Sequence, residues 1–194
     1  MKKIVFVVAP TNFRDEEYIE PKNILENAGI KVVTASTIIG TLYGKIKIKT
    51  QSQILVKDIK VEDFDGIFFV GGMGSSVYFE DEFVYKLVWD FYNANKIVSA
   101  ICIAPTILAN SGVLKSKKAT VFPDGEPALT NGGAIYTAND VETDGNIVTG
   151  NGPQSATAFA NKILTLLKNW KHTKITSDDW LLQCEPTLRP TSNC

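Results

Sequence analysis

Residues 97–110 read IVSAICIAPTILAN, and this stretch decides the fold. Five apolar or small residues, Ile97 to Ile101, have the length and composition of a buried strand, and Pro105 opens a helix, its missing N–H costing nothing in a first turn. The strand therefore runs straight into a helix through a tight elbow with Cys102 at its tip. Upstream, Phe64 to Val70 (FDGIFFV) is a second buried strand that ends in Gly71-Gly72, and Ile4 to Val8 and Lys31 to Ala35 are two more. Helical periodicity fills the gaps at Asp15 to Asn27, closed by Gly29, at Glu82 to Ala94 and at Gln154 to Trp170. Lys118 to Phe122, Ala134 to Thr137 and Asn146 to Thr149 are further short strands. Strand and helix alternating in this way predict an α/β three-layer sandwich, flavodoxin-like, with a mostly parallel sheet and helices on both faces. Between Gly40 and Ile59 the period changes to two, and Lys45 to Lys49 is expected to be the solvated face of a strand pair, its lysines discouraging edge association.

The 194 residues suffice for one domain with its own core, expected over 1–170. Residues 171–194 show no sustained period and are expected to be a C-terminal extension, lineage-specific or an expression scar, outside the fold. A net charge of −1 with mixed signs offers no field for nucleic acid or anionic lipid, so the expected partners are small molecules or protein chains. The start, MKKIVFVVAP, is too short in its apolar run for a signal peptide, and no stretch approaches the roughly 18 apolar residues of a membrane helix. With three cysteines and no export signal, a cytoplasmic location is expected. The single histidine, His172, excludes metal sites built from two or three imidazoles in one subunit, and no metal or other cofactor is expected. His172 falls in the aperiodic tail together with Cys184 and Cys194, which have the choice of pairing with each other or with another chain.

Chemistry in doubly wound sheets collects at the carboxyl ends of strands. Three places qualify. Cys102 sits on its elbow with a helix start behind it, which favours thiolate; the competing reading is a buried structural cysteine. VGGMGSS, Val70 to Ser76, offers backbone N–H groups to an anion, or is simply a tight turn; Val77 and the lack of a Lys-Ser/Thr pair exclude a phosphate-binding loop, as Ile46 does for GTLYGKI at 40–46. PTNFRDEEYIEP places Asp15, Glu16, Glu17 and Glu20 at a helix start, where acids are common for electrostatic reasons alone, though one of them can turn inward to meet Cys102. Asn131-Gly132-Gly133 reads first as a turn, and Phe122, Met73 and Phe13 read as the lining of a modest apolar cavity.

Taken together, FRDEEYIEP, VGG, SAICIAPTILA, the ATVFP strand and DGNIVTGNGP resemble the DJ-1/PfpI (ThiJ/PfpI) superfamily over Lys2 to Leu167, closest to its short peptidase C56-like members. The resemblance implies that Cys102 is a nucleophile, that Glu17 contacts its sulfur, and that the N–H groups of Gly72 and Ile103 form an oxyanion hole, with Gly71, Phe122 and Met73 at the substrate. It also implies a homodimer or larger oligomer and a part in stress response. Two departures limit the chemistry. Peptidase-like members carry His directly after the nucleophile, where Ile103 stands, and DJ-1-like members carry His after the later strand, where Phe122 stands. Without an imidazole to protonate an amine leaving group, intracellular peptide hydrolysis is disfavoured. The expected activity is a cofactor-free, cysteine-dependent conversion of small reactive carbonyls of the glyoxalase III or deglycase type. The alternatives are a peptidase completed by a neighbouring subunit, and a redox sensor or chaperone acting through oxidation of Cys102.

Overall fold

The computed structural model describes residues 1–169. Twelve strands and five helices alternate as follows: β1 (Lys3–Val7), β2 (Thr11–Phe13), α1 (Asp15–Asn27), β3 (Lys31–Ser36), β4 (Gly40–Gly44), β5 (Lys49–Ser52), β6 (Ile54–Leu55), β7 (Gly66–Phe69), α2 (Glu82–Asn93), β8 (Ile97–Ile101), α3 (Pro105–Asn110), β9 (Lys118–Ala119), α4 (Glu126–Asn131), β10 (Ile135–Tyr136), β11 (Val141–Asp144), β12 (Ile147–Gly150) and α5 (Ala156–Asn169). The main sheet has seven strands in the order β11-β12-β8-β7-β1-β3-β6. All its pairs are parallel except β11 with β12. The order β3-β1-β7-β8-β12 is that of a flavodoxin-like sheet, and the crossover direction reverses between β1 and β7.

Period-two alternation along the buried strands feeds two separate cores. On one face Val5, Val7, Ile67, Phe69, Val98 and Ala100 pack with Leu87, Val88 and Phe91 of α2 and Ile107 and Leu108 of α3. On the other, Ile4, Phe6, Phe68, Ile97 and Ile101 meet Tyr18 and Leu25 of α1 and Phe159 and Ile163 of α5. Phe6 and Phe68 stack edge to face with centroids 4.5 Å apart. No helix among the described residues is long and apolar enough to cross a membrane.

Several expectations need correction. Lys45 to Lys49 is not a strand face: β4 and β5 pair antiparallel, from Gly40 opposite Ser52 to Tyr43 opposite Lys49, and residues 45–48 are their connection. Its peptide groups turn inward because Asp15, buried at the start of α1, accepts the N–H groups of Ile46, Lys47 and Ile48 at 2.9, 2.8 and 2.6 Å. Asp15 is therefore not a solvated helix-start acid. The strand pair expected between Gly40 and Ile59 is thus present, and β2, in a segment that reads as loop, completes a three-stranded side sheet with it. Lys118 to Phe122 forms only the two residues of β9, which pair with β10 outside the main sheet. Beyond them the chain bonds to side chains and the elbow instead: the Thr120 N–H donates to Thr149 Oγ1 at 2.9 Å, and the Phe122 N–H to the Cys102 carbonyl at 2.7 Å. Asn131 ends α4, and Gly132-Gly133 form the expected turn after it. The last helix starts at Ala156, after a 3-10 turn at Pro153–Ser155. Trp170, His172, Cys184 and Cys194 lie outside the described residues.

Burial alone raises the pKa of Asp15, but the three N–H donors outweigh it and hold the carboxyl below its ordinary value. Asp15→Ala is expected to cost about 3 kcal/mol, read as a lowered urea midpoint at neutral pH. The loss relative to wild type shrinks in acid, as Asp15 itself becomes protonated.

Candidate active site

The carboxyl ends of β1, β7 and β8 meet beside the reversal point of the sheet. In register, Val7 lies opposite Phe69 and Phe69 opposite Ala100, so the segments after the three strands emerge at one level. Cys102 follows β8 in the left-handed region, at φ 62°. For a residue with a Cβ that conformation is strained, and it persists only where neighbours over-determine it. Here they do: the Cys102 N–H donates to the Gly150 carbonyl at 2.9 Å, and its carbonyl accepts the Phe122 N–H. A turn through Ala104 separates the cysteine from α3, whose Pro105 takes the first-turn position expected of it.

Gly71 and Gly72 follow β7, each glycine for its own reason. A Cβ on Gly71 would lie 2.5 Å from the Ile101 carbonyl oxygen and 2.6 Å from Cys102 Cβ, and closer still to Glu17 Oε2. Gly72, at φ 93°, has the Arg14 nitrogen and the Asn12 carbonyl where its Cβ would be, at 2.5 and 2.6 Å. The Arg14 N–H donates to the Gly71 carbonyl at 3.0 Å, which ties the start of α1 to this turn. Glu17, three residues on, is fully buried and points at the sulfur.

The acids at the start of α1 thus separate into different roles. Asp15 holds the β4–β5 connection, Glu16 pairs with Arg14 at 2.8 Å, and Glu20 accepts from Thr157 Oγ1 at 3.0 Å. Only Glu17 turns to Cys102. Burial pushes its pKa up to about 8, against weaker opposing contributions from the Cys102 thiol, the Arg14 charge and the Gly71 N–H. No donor closes a well-formed hydrogen bond on either carboxyl oxygen, so little offsets the cost of burying the charged form. Cys102 is half-buried and is the free thiol of the described residues. Burial, then the charge of an ionised Glu17, push it up to about 12, while the N–H groups of Gly72 and Ile103 pull it down. The helix start does not by itself produce a thiolate, contrary to the sequence expectation. The two groups titrate as a pair: once Glu17 is neutral, its charge no longer opposes ionisation of the sulfur.

Phe122 is 39% exposed, its N–H on the Cys102 carbonyl and its ring 3.7 Å from where a Cβ on Gly152 would sit. Met73 is 69% exposed, just past Gly72. Phe13 does not line a cavity: it is fully buried, with its ring 5.5 Å from that of Tyr18. No group of three or more potential metal-ligating side chains occurs among the described residues. The sequence reading gave no role to Arg14 or Gly150. Arg14 is the sole arginine before residue 189, a signal that was available; the Gly150 carbonyl carries none.

The raised acid makes a stability prediction. The unfolded chain releases the Glu17 proton near pH 4.5 and the folded protein only near 8, so the wild type loses stability as pH climbs through that window. Glu17→Gln, which cannot titrate, is expected to gain on it by up to about 1.4 kcal/mol per pH unit there, read from urea melts at the two ends of the window. Gly71→Ala, whose methyl group would lie 2.5 Å from the Ile101 carbonyl oxygen and 2.6 Å from Cys102 Cβ, is expected to cost about 1–3 kcal/mol of stability, read as a lowered urea midpoint.

The DJ-1/PfpI family model matches residues 2–166. An uncharacterized protein of Methanocaldococcus jannaschii is 40% identical over 169 residues, covering 86% of this chain and 82% of that one. A deglycase of Pyrococcus horikoshii is 29% identical over 86% of this chain and 99% of its own. Among solved structures, a ThiJ/PfpI domain protein of Brachyspira murdochii superposes with a TM-score of 0.85 at 36% identity, covering 87% of this chain and 98% of the other. With the carboxyl ends of three strands bringing an acid, a glycine turn and an elbow cysteine together, and with the match running nearly the whole described length, the chain belongs to the DJ-1/PfpI family.

Proposed function

We propose that the protein is a cofactor-free enzyme that converts small reactive carbonyls, with Cys102 as nucleophile and Glu17 as proton carrier. The observation that carries this reading is a fully buried carboxyl group, its pKa pushed up by that burial, set against a half-buried elbow thiol. The deglycase name of the Pyrococcus horikoshii relative supports the substrate class. For methylglyoxal the steps balance without an external oxidant. Cys102 gives its proton to water, the thiolate sulfur adds to the aldehyde carbon, and the resulting oxyanion is met by the N–H groups of Gly72 and Ile103 and takes the Glu17 proton. Glu17, now a carboxylate, removes the hydrogen from that former aldehyde carbon and the neighbouring ketone is protonated through the enediol. One carbon is thereby oxidised to a thioester and its neighbour reduced to a hydroxyl. Water cleaves the thioester, releasing lactate and restoring the thiol.

Ile103 and Phe122 occupy the positions where an imidazole would supply an acid for an amine leaving group. Carbonyl addition has no such leaving group, so the reading accommodates their apolar character. The same reading implies a small substrate, held by contacts at Gly71, Phe122 and Met73.

Cys102→Ser is expected to abolish lactate formation from methylglyoxal, assayed with purified protein and no added thiol. Wild-type rates in the variant would refute the role of the sulfur, and absence of lactate in the wild type would refute the substrate class. Glu17→Gln is expected to lower kcat at least about a hundredfold while leaving Cys102 accessible to alkylation, as removal of a general acid–base does.

A further inference from the structure

Arg14 and Glu16 are the two charges that flank Glu17, and neither has a part in the chemistry above. Arg14 is the residue immediately before α1; its backbone N–H is tied to the Gly71 carbonyl at 3.0 Å, at the point where Glu17 and Cys102 approach one another. Its side chain turns onto Glu16, Nε to Oε2 at 2.8 Å and a terminal guanidinium nitrogen to Oε1 at 3.2 Å. Both members are only partly exposed, at 29% and 35% of their side-chain surface, and the Nε and Oε2 atoms between them are shut off from solvent. A charge pair pinned to the turn and shielded from water acts on a neighbouring buried acid with less screening than an open surface pair would.

Among the described residues, Arg14 and Glu16 are the charges that act on Glu17 across space. The elbow supplies Cys102, and the β7 turn supplies only the Gly71 N–H. Asp15, which faces the side sheet, is committed to the N–H groups of Ile46, Lys47 and Ile48. Arg14 favours the ionised form of Glu17 and Glu16 opposes it.

We propose that the Arg14–Glu16 ion pair is a positioning element that sets how readily the Glu17–Cys102 pair takes up its single negative charge, with Arg14 favouring that charge and Glu16 limiting Arg14's pull. The electrostatic argument holds whichever of the two atoms carries the charge, because both lie at the same turn. It rests on the pairing of Glu17 with Cys102 in the proposed function, and not on the identity of the carbonyl substrate.

The test is the pH dependence of Cys102 alkylation by iodoacetamide, in full-length protein carrying Cys184→Ser and Cys194→Ser so that one thiol is read. Arg14→Gln is expected to move the midpoint up by about half a pH unit and Glu16→Gln to move it down by a similar amount, the size typical of partly exposed charge pairs. The double variant is expected to return toward the starting midpoint, and Arg14→Lys to stay close to it. A purely structural role for the pair predicts the same direction for both single variants, since each breaks the same bond; that result, or midpoints that do not move, would overturn the proposal. Should Arg14→Gln fail to fold, Glu16→Gln and Arg14→Lys still decide, the first by its sign and the second by its silence. Because the readout is alkylation, a lack of methylglyoxal turnover would leave this result standing and strike only the substrate assignment.

Discussion

The site depends on one absence of atoms. At Gly71 the Glu17 carboxyl, the Ile101 carbonyl and the Cys102 β-carbon converge on space that a single methyl group would fill. An acid buried at this depth cannot afford its charge, and a thiol beside it is discouraged from ionising while the acid is charged. The close approach therefore links the protonation of the two groups. Everything around the turn serves to maintain the approach: the glycine backbone, the Arg14 amide on the Gly71 carbonyl, and the two backbone hydrogen bonds that hold Cys102 in its left-handed conformation.

Much of this was legible in the sequence because the relevant signals are local. A run of five buried residues, a cysteine and a proline define the elbow without reference to anything distant, and paired glycines after FDGIFFV mark a turn that needs a naked backbone. The central strands were similarly readable, since residues covered on both faces are apolar throughout. Which of four acids turns inward was not readable from periodicity. Asp15 and Glu17 are both buried, two residues apart on one helix, and they differ only in what the fold presents to them: three amide donors in one case, a thiol in the other.

The misreadings share a cause. Lys45 to Lys49 alternates as a strand should, yet its amides are claimed by a carboxylate more than thirty positions away. Lys118 to Phe122 has strand composition, yet a threonine hydroxyl and the elbow carbonyl take hydrogen bonds that a neighbouring strand would have taken. In both, a long-range polar contact overrode a local pattern, which pattern reading has no means to detect. Phe13 was misplaced for the converse reason: an aromatic residue in a polar loop looks available to a ligand, but β2 carries it into the core against Tyr18.

The side sheet has a mechanical meaning beyond its small size. The thiol belongs to the main sheet through β8, whereas the acid belongs to a helix whose first residue is moored to the β4–β5 hairpin. The two partners are thus held in separate frames of reference that touch at the glycine turn. Changes in the hairpin, far from any reacting atom, are a route by which the reactivity of this cysteine and this glutamate can be altered without touching either.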